Sequence, residues 1–285
     1  MLARILIFLF ALATASSAQP NPDWTTAFPP YRVIGNVYYV GSRDLASFLI
    51  TTPEGHILIN SNLATSPQQI VKSVEQLGFK FSDVKILLIS HAHYDHAAGS
   101  ARILQMTHAK YMVMDGDVSV IESGGRTDFN YAKSRDMYFP PAKVDRVLHD
   151  GDQVHLGGAV LVAHKTPGHT KGCTTWTIVV TEKDKSYNVV IVGSPNVNPG
   201  YKLVNNKTYP QIARDYEQTF RVLNSLPCEV FLGAHGSYYE MLAKYARLKD
   251  GGEDPFIDPA GYKAYVAERE QAFEEELKKQ EAGGK

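Results

Sequence analysis

Apolar residues fall along the chain in short runs, broken by Gly, Pro and Asn, in the rhythm of strands alternating with helices. Tyr31 to Ile34 and Val37 to Val40, separated by Gly35-Asn36, predict a hairpin, and Ala46 to Thr52 with His56 to Asn60, separated by Pro53-Glu54-Gly55, predict another. A helix is expected from Thr65 or Ser66 as cap, with Pro67 in its first turn, to Leu77-Gly78. The apolar run Val84 to Ile89 predicts a strand, followed by a helix from Ala97 to Met106 and a short strand from Tyr111 to Met114. In the second half, strands are expected at 144–148, 153–156, 159–164, 174–180, 188–192 and 229–232. Helices are expected at 210–226 and 237–248, and from Asp258 (cap) and Pro259 to Gln280. Residues 123–142, with Gly124-Gly125, Asn130 and Pro140-Pro141, lack periodicity and read as a long surface loop, and residues 19–30 as an arm with little structure of its own. Strands, helix, strand, helix occur twice with no linker between them. The expected fold is α/β: an αββα sandwich of two facing mixed sheets with helices on the outer faces, one domain over residues 19–285.

The first residues break this rhythm. Arg4 precedes the apolar run Ile5 to Ala13, and Ser16-Ser17-Ala18 fits a small-residue cleavage site before Gln19. That is the layout of a signal peptide over residues 1–18, and the run is too short to span a bilayer. The expectation is a periplasmic or secreted protein with no membrane association once mature; an uncleaved anchor is the alternative. With 285 residues, 44% hydrophobic and 21% charged, the chain has the composition of a folded protein, and its net charge of −1 gives no reason to expect nucleic acid as partner. Composition says nothing about oligomeric state.

The chemistry is concentrated in Ser90-His91-Ala92-His93-Tyr94-Asp95-His96, directly after the predicted strand 84–89. In an extended segment His91 and His93 point the same way, and a turn through Tyr94 brings Asp95 and His96 to a second position. Four ligands in so short a stretch are too crowded for one metal, whereas two adjacent metals accommodate them. His169, in Pro167-Gly168-His169-Thr170, and His235, in Gly233-Ala234-His235-Gly236, also sit in loops at strand ends. Six ligands give three per metal, which leaves positions open as catalytic rather than structural sites do. His56, His108, His149, His155 and His164 lack this setting and are expected to be structural or exposed.

H-x-H-x-D-H after a strand, a later G-H-T and a final A-H after another strand resemble the metallo-β-lactamase superfamily, from about residue 31 to the C-terminal helix. Thioesterases of the glyoxalase II type and many lactonases in that superfamily carry a bridging Asp after the strand 188–192; here Val192-Gly193-Ser194 stands in its place. Ser194 to Tyr201, ending in P-G-Y, is similar to the segment of class B subclass 3 metallo-β-lactamases. The resemblance implies two Zn²⁺ per chain, one held by His91, His93 and His169 and the other by Asp95, His96 and His235; Fe or Mn occupies such sites in some relatives. It further implies a hydrolase opening the β-lactam ring of penicillins, cephalosporins and carbapenems through a metal-bridging hydroxide. Asp95 is expected to orient that nucleophile and pass on its proton, Tyr201 to donate to the developing oxyanion, and Ser194 and Asn196 to bind the substrate carboxylate. A lactonase or thioesterase of the same fold is the alternative.

Two cysteines in an exported protein suggest a disulfide. Cys173, however, lies at the metal end of its strand, and Cys228 precedes a strand running toward His235. Five strand residues span about 16 Å, beyond the Cα separation of about 7 Å that a disulfide tolerates, so two buried, unpaired thiols are expected. Asn206-Lys207-Thr208 matches a glycosylation sequon that is read as incidental.

Overall fold

The structure, a computed structural model, describes residues 21–248 and 254–283; the signal peptide expected over 1–18 lies outside the described residues. The first sheet begins with two hairpins where the turn residues placed them: β1 (Tyr31–Ile34) with β2 (Val37–Tyr39), and β3 (Phe48–Thr52) with β4 (Gly55–Ile59). Gly35, at φ +51°, supplies the left-handed residue of the first turn. Helix α1 (Pro67–Gln76) leads to β5 (Val84–Leu88), which lies parallel to β4. The ligand stretch follows β5 and winds into one helical turn, α2 (Tyr94–Ala97), ahead of α3 (Ser100–Thr107), so the single helix expected from 97 to 106 is broken in two. Next come β6 (Lys110–Met114) and α4 (Val118–Ser123), a helix the sequence reading left out.

The segment 144–148 was expected to open the second half. The structure instead places β7 (Arg146–Leu148) parallel to β6, with Met112 opposite Arg146, as the last strand of a seven-stranded sheet in the order β1-β2-β3-β4-β5-β6-β7. Three consecutive residues carry too little alternation to reveal which sheet they join. The second sheet contains β8 (Gln153–Leu156), β9 (Ala159–Lys165), β10 (Thr174–Glu182) and β11 (Lys185–Val192), all antiparallel. After α5 (Ile212–Ser225), β12 (Val230–Gly233) adds in parallel to β11, giving the order β12-β11-β10-β9-β8. The chain then forms α6 (Met241–Leu248) and α7 (Pro259–Gly283), the latter capped as expected by Asp258 Oδ1, which accepts from Gly261 N at 2.8 Å. No helix among the described residues is long and apolar enough to cross a membrane.

The period-two pattern explains the layering. In β4, Ile57 and Ile59 face the second sheet, where Leu161, Trp176 and Ile178 join them, while Leu58 points outward to Ile70 and Val74 of α1. On the other side Tyr216 and Phe220 of α5 meet Phe273 of α7. This is the αββα sandwich, with the ligand-bearing loops at one end of both sheets. Cys173 and Cys228 are unpaired as expected; Cys173 is buried but Cys228, two residues ahead of β12, is only half-buried.

Candidate metal centre

The first ligand loop is fixed from both sides. Asn60, held at φ +68°, accepts from Ser90 N through Oδ1 (2.7 Å), and Ser90 O accepts from Thr174 N of the opposite sheet (2.7 Å). The His93 carbonyl accepts from His96 N (3.0 Å) and Ala97 N (2.9 Å), closing the helical turn that carries Asp95 and His96 to their position. Buried Asp117 accepts from Ala92 N, Thr170 Oγ1 and Gly172 N, each at 2.8 Å, and so ties this loop to the one carrying His169. In that second loop Gly168 sits at φ +129°, and a Cβ there would lie 2.7 Å from the Tyr216 ring. His235 stands two residues beyond the end of β12, and the intervening Ala234 N donates to Val192 O at 2.9 Å.

These elements bring all six predicted ligands together. His91, His93 and His169 form one group of donor atoms within 4.8 Å of each other, and His91, Asp95 and His96 form another. His93 Nδ1 lies 3.1 Å from His169 Nε2. His96 Nε2, His235 Nε2 and Asp95 Oδ2 form a triangle with sides of 3.1, 3.3 and 3.6 Å. The other five histidines take no part. His56 packs on Phe79, His164 pairs with Thr177, and His108, His149 and His155 are exposed.

The outer nitrogens decide which lone pairs point inward. His169 Nδ1 faces the Asn196 carbonyl at 2.8 Å, and a carbonyl only accepts, so Nδ1 carries the proton and Nε2 is left as a base. His235 Nδ1 donates to Asp44 Oδ2 at 2.9 Å. His93 Nε2 is 3.7 Å from Asp128 Oδ2 and 3.4 Å from the Tyr201 hydroxyl. Burial, with the repulsion of the neighbouring imidazoles, holds His91 well below its ordinary range and His169 down to about 3, so both are neutral ligands at pH 7. Burial opposes charge on His235, yet hydrogen bonds to Asp44 and Asp95 push it up to about 9. Burial also works against ionised Asp95, but His96 and His235 hold it well below the usual carboxylate range. Imidazoles whose inner nitrogens converge to 3.1 Å, with one anionic carboxylate, form a donor set that fits Zn²⁺, which would displace the inner proton of His235 on binding.

A cavity of about 340 Å³ opens over the cluster. His93, Asp95, His169 and His235 form its floor; Trp24 and Tyr94 stand on one side, Tyr131, Met137 and Phe139 on another, and Asn196, Asn198, Ser237 and Tyr238 complete it. Among the described residues no Lys or Arg lines it. The 123–142 segment thus forms a wall of the site. Asn196 reaches the cavity with Nδ2 donating to Tyr238 Oη at 2.9 Å. Ser194, 1% exposed, lies behind Tyr238, its Oγ 3.1 Å from Tyr238 Oη. Tyr201 is 2% exposed and lines no part of the cavity: its hydroxyl donates to the His169 carbonyl at 2.9 Å.

The sequence reading missed Trp24, Asp44, Asp117, Asp128, Tyr131 and Tyr238. Trp24 alone left a signal, being one of two tryptophans and lying in an arm with no core of its own. The carboxylates sit in loops among 30 acidic residues, and nothing in their spacing marks them.

Residues 43–235 match the sequence profile of the metallo-beta-lactamase superfamily. Over 90% of this chain and 98% of the other, the fold is similar to that of the native FEZ-1 metallo-beta-lactamase from Legionella gormanii, with 57% identity and a TM-score of 0.89. BJP-1, a subclass B3 metallo-beta-lactamase of Bradyrhizobium japonicum, is 37% identical over 92% of this chain and 98% of its own, with a TM-score of 0.86. LRA-12, a class B3 di-zinc metallo-beta-lactamase from an Alaskan soil metagenome, is 36% identical over 90% and 97%, also at 0.86. A probable metallo-hydrolase of Burkholderia pseudomallei (strain 1710b) is 28% identical over 166 residues, 57% of this chain and about half (54%) of that protein's length.

Proposed function

The chain belongs to the metallo-beta-lactamase superfamily, in its B3 subclass, and we propose that it is a di-zinc hydrolase that opens the lactam ring of penicillins, cephalosporins and carbapenems. The observation that carries this reading is the meeting of His91, His93, His169, Asp95, His96 and His235 in one cluster beneath a cavity, four of them on its floor, with Ser194 where a bridging Asp would direct the site toward thioesters or lactones. His91, His93 and His169 would hold one Zn²⁺, and Asp95, His96 and His235 the other. When bound, the pair supplies a water nucleophile that is ionised near neutral pH and polarises the lactam carbonyl.

The chain's own residues do the rest. Asp95 stays anionic beside His96 and His235; it orients the attacking water and relays its proton to the departing nitrogen. Since no Lys or Arg among the described residues lines the cavity, the substrate carboxylate meets neutral donors, Asn196, Ser237 and Tyr238, and Ser194 acts on it through Tyr238. Trp24, Tyr131, Met137 and Phe139 offer apolar surface to the substituents of the bicyclic ring and exclude water from it. Tyr201 holds the His169 loop through its carbonyl, in place of the oxyanion contact that the resemblance implied.

Export completes the reading: residues 1–18 are removed and the single domain 19–285 works in the periplasm or outside the cell. Sequencing the mature N-terminus tests this, Gln19 being the expected first residue. The activity is tested by following a carbapenem's absorbance with and without chelator, beside a homoserine lactone and a thioester. Chelator-sensitive loss of the lactam, faster than turnover of the other two, is expected. Lactone or thioester turnover exceeding that of the carbapenem would move the chain to the other hydrolases of the fold.

A further inference from the structure

The outer nitrogen of His235 is held by a chain of contacts that leads out of the two sheets and into the N-terminal arm. His235 Nδ1 donates to Asp44 Oδ2 at 2.9 Å, and the same oxygen accepts from the indole Nε1 of Trp24 at 3.1 Å. Asp44 Oδ1 accepts from Ser237 N at 2.9 Å, and its carbonyl accepts from Gly236 N at 2.6 Å, so Asp44 holds both the ring of the last ligand and the backbone that follows it. The arm is anchored to the same loop: Ser42 Oγ donates to Asp23 O, Arg43 N to Thr26 O and Asp44 N to Asp23 O, and Arg43 pairs with Asp23 at 3.1 Å. Trp24 also faces the site, its ring centroid 5.9 Å from that of His235 and 6.1 Å from that of Tyr94.

We propose that Asp44 and Trp24 are positioning residues for the second metal site, so that docking of the N-terminal arm sets the affinity of that site alone. This rests on the two-metal reading above. A ligating imidazole whose far nitrogen donates to a carboxylate is fixed in orientation and made a stronger base. Here that carboxylate is in turn fixed by an indole N–H from the arm. His91, His93 and His169 have no contact with this chain; their outer partners are Ser90, Asp128, Tyr201 and Asn196. The arm is thus both a wall of the cavity and a support of one half of its floor. Trp24→Phe keeps an aromatic ring in the arm and deletes the indole N–H. Asp44→Asn keeps the shape and deletes the charge.

The test is equilibrium zinc binding by the full mature chain in graded chelator buffers, with thermal unfolding as a control for folding. Wild type is expected to take two zinc ions. In Asp44→Asn the second should bind about 10–100-fold more weakly while the first stays within about twofold. Trp24→Phe should weaken the second about tenfold, the lower end of what one hydrogen bond to a charged group corresponds to. It should also remove the change in tryptophan emission that accompanies the second equivalent, since Trp176 is the only other tryptophan. Folded variants that bind both ions as wild type does, or that lose both in parallel, would overturn the coupling while leaving the two-metal reading in place. If Asp44→Asn does not fold, Trp24→Phe decides by the same criteria. Wild type taking fewer than two ions would overturn the two-metal reading and, with it, this one.

Discussion

Trp176 Nε1 donates to the carbonyl of Ile89 at 3.0 Å, joining the second sheet to the first just ahead of the ligand loop. Trp176 is 1% exposed, so the carbonyl has no water to turn to if the indole is lost. Trp176→Phe should therefore cost about 2–4 kcal/mol, the sum of a void and an unmet acceptor. Denaturant unfolding reads this directly, and a loss under about 0.5 kcal/mol, the scale of an ordinary surface change, would show that the bond between the sheets is dispensable.

Removing metal should remove activity without unfolding the chain, because the αββα core is built apart from the ligand cluster. Dialysis against a chelator is expected to abolish lactam hydrolysis, and added zinc, but not magnesium, to restore it, since imidazole-rich sites discriminate against hard cations. Circular dichroism of the chelated protein checks the fold, and full activity after chelation would rule the mechanism out.

Asp128, 4% exposed, stands 3.7 Å from His93 Nε2 and raises the basicity of that ring against the effect of burial. Asp128→Asn should loosen zinc at the His91, His93, His169 site by about 10–100-fold. This is the converse of the result expected for Asp44→Asn. Zinc stoichiometry at limiting free metal separates the two variants, and identical profiles would contradict the assignment of separate outer partners.

Gly168 has φ +129° and its missing Cβ points at the Tyr216 ring, 2.7 Å away. Gly168→Ala must shift the loop, and a shift of about 1 Å at His169 should lower kcat/KM by about 100-fold. Initial rates together with zinc content test this; wild-type rates would mean that the ring yields and the ligand stays in place.

Lys244, with a side chain 4% exposed, pairs with Asp258 at 2.7 Å. Burial raises the Asp258 carboxyl, but Lys244 and the Gly261 N–H outweigh it and leave the carboxyl below its ordinary value. A depressed carboxylate contributes stability above its unfolded pKa, and that stability is lost as pH falls through the folded one. Asp258→Asn should thus cost about 1–3 kcal/mol at pH 7, less than a fully buried pair because Asp258 is 30% exposed, and the gap from wild type should close in acid. Urea unfolding at neutral pH and at about pH 3 measures the difference; a gap that widens on acidification would invert the sign argument.

Much of the fold was legible because it follows from local rules. The hairpins at Gly35-Asn36 and Pro53-Glu54-Gly55, the helix behind Pro67 and the Asp258 cap all stand where turn and cap chemistry put them. The pairing of β7 with the first sheet was not legible, since a three-residue strand carries no periodicity to assign it. The broken helix around Ala98 and Gly99 was missed for a related reason. Gly99 N donates to Asn62 O, and a Cβ on Gly99 would lie 2.3 Å from the Ser61 carbonyl, so a distant loop sets the break.

The six candidate ligands were readable from the sequence because metal chemistry restricts residue types and strand ends present them on a rigid base. Their outer partners were not. Asp44 and His235 are 191 positions apart, and Trp24 reaches them from an arm with no pattern of its own. The hydroxyl of Tyr201 settles on the His169 carbonyl rather than in the cavity. Sequence by itself determined which atoms can bind metal and where along the chain they stand, since both follow from residue type and local periodicity. Only the tertiary structure decided which carboxylate holds which imidazole and which side chains face the substrate, since those choices depend on the packing of segments that share no local signal.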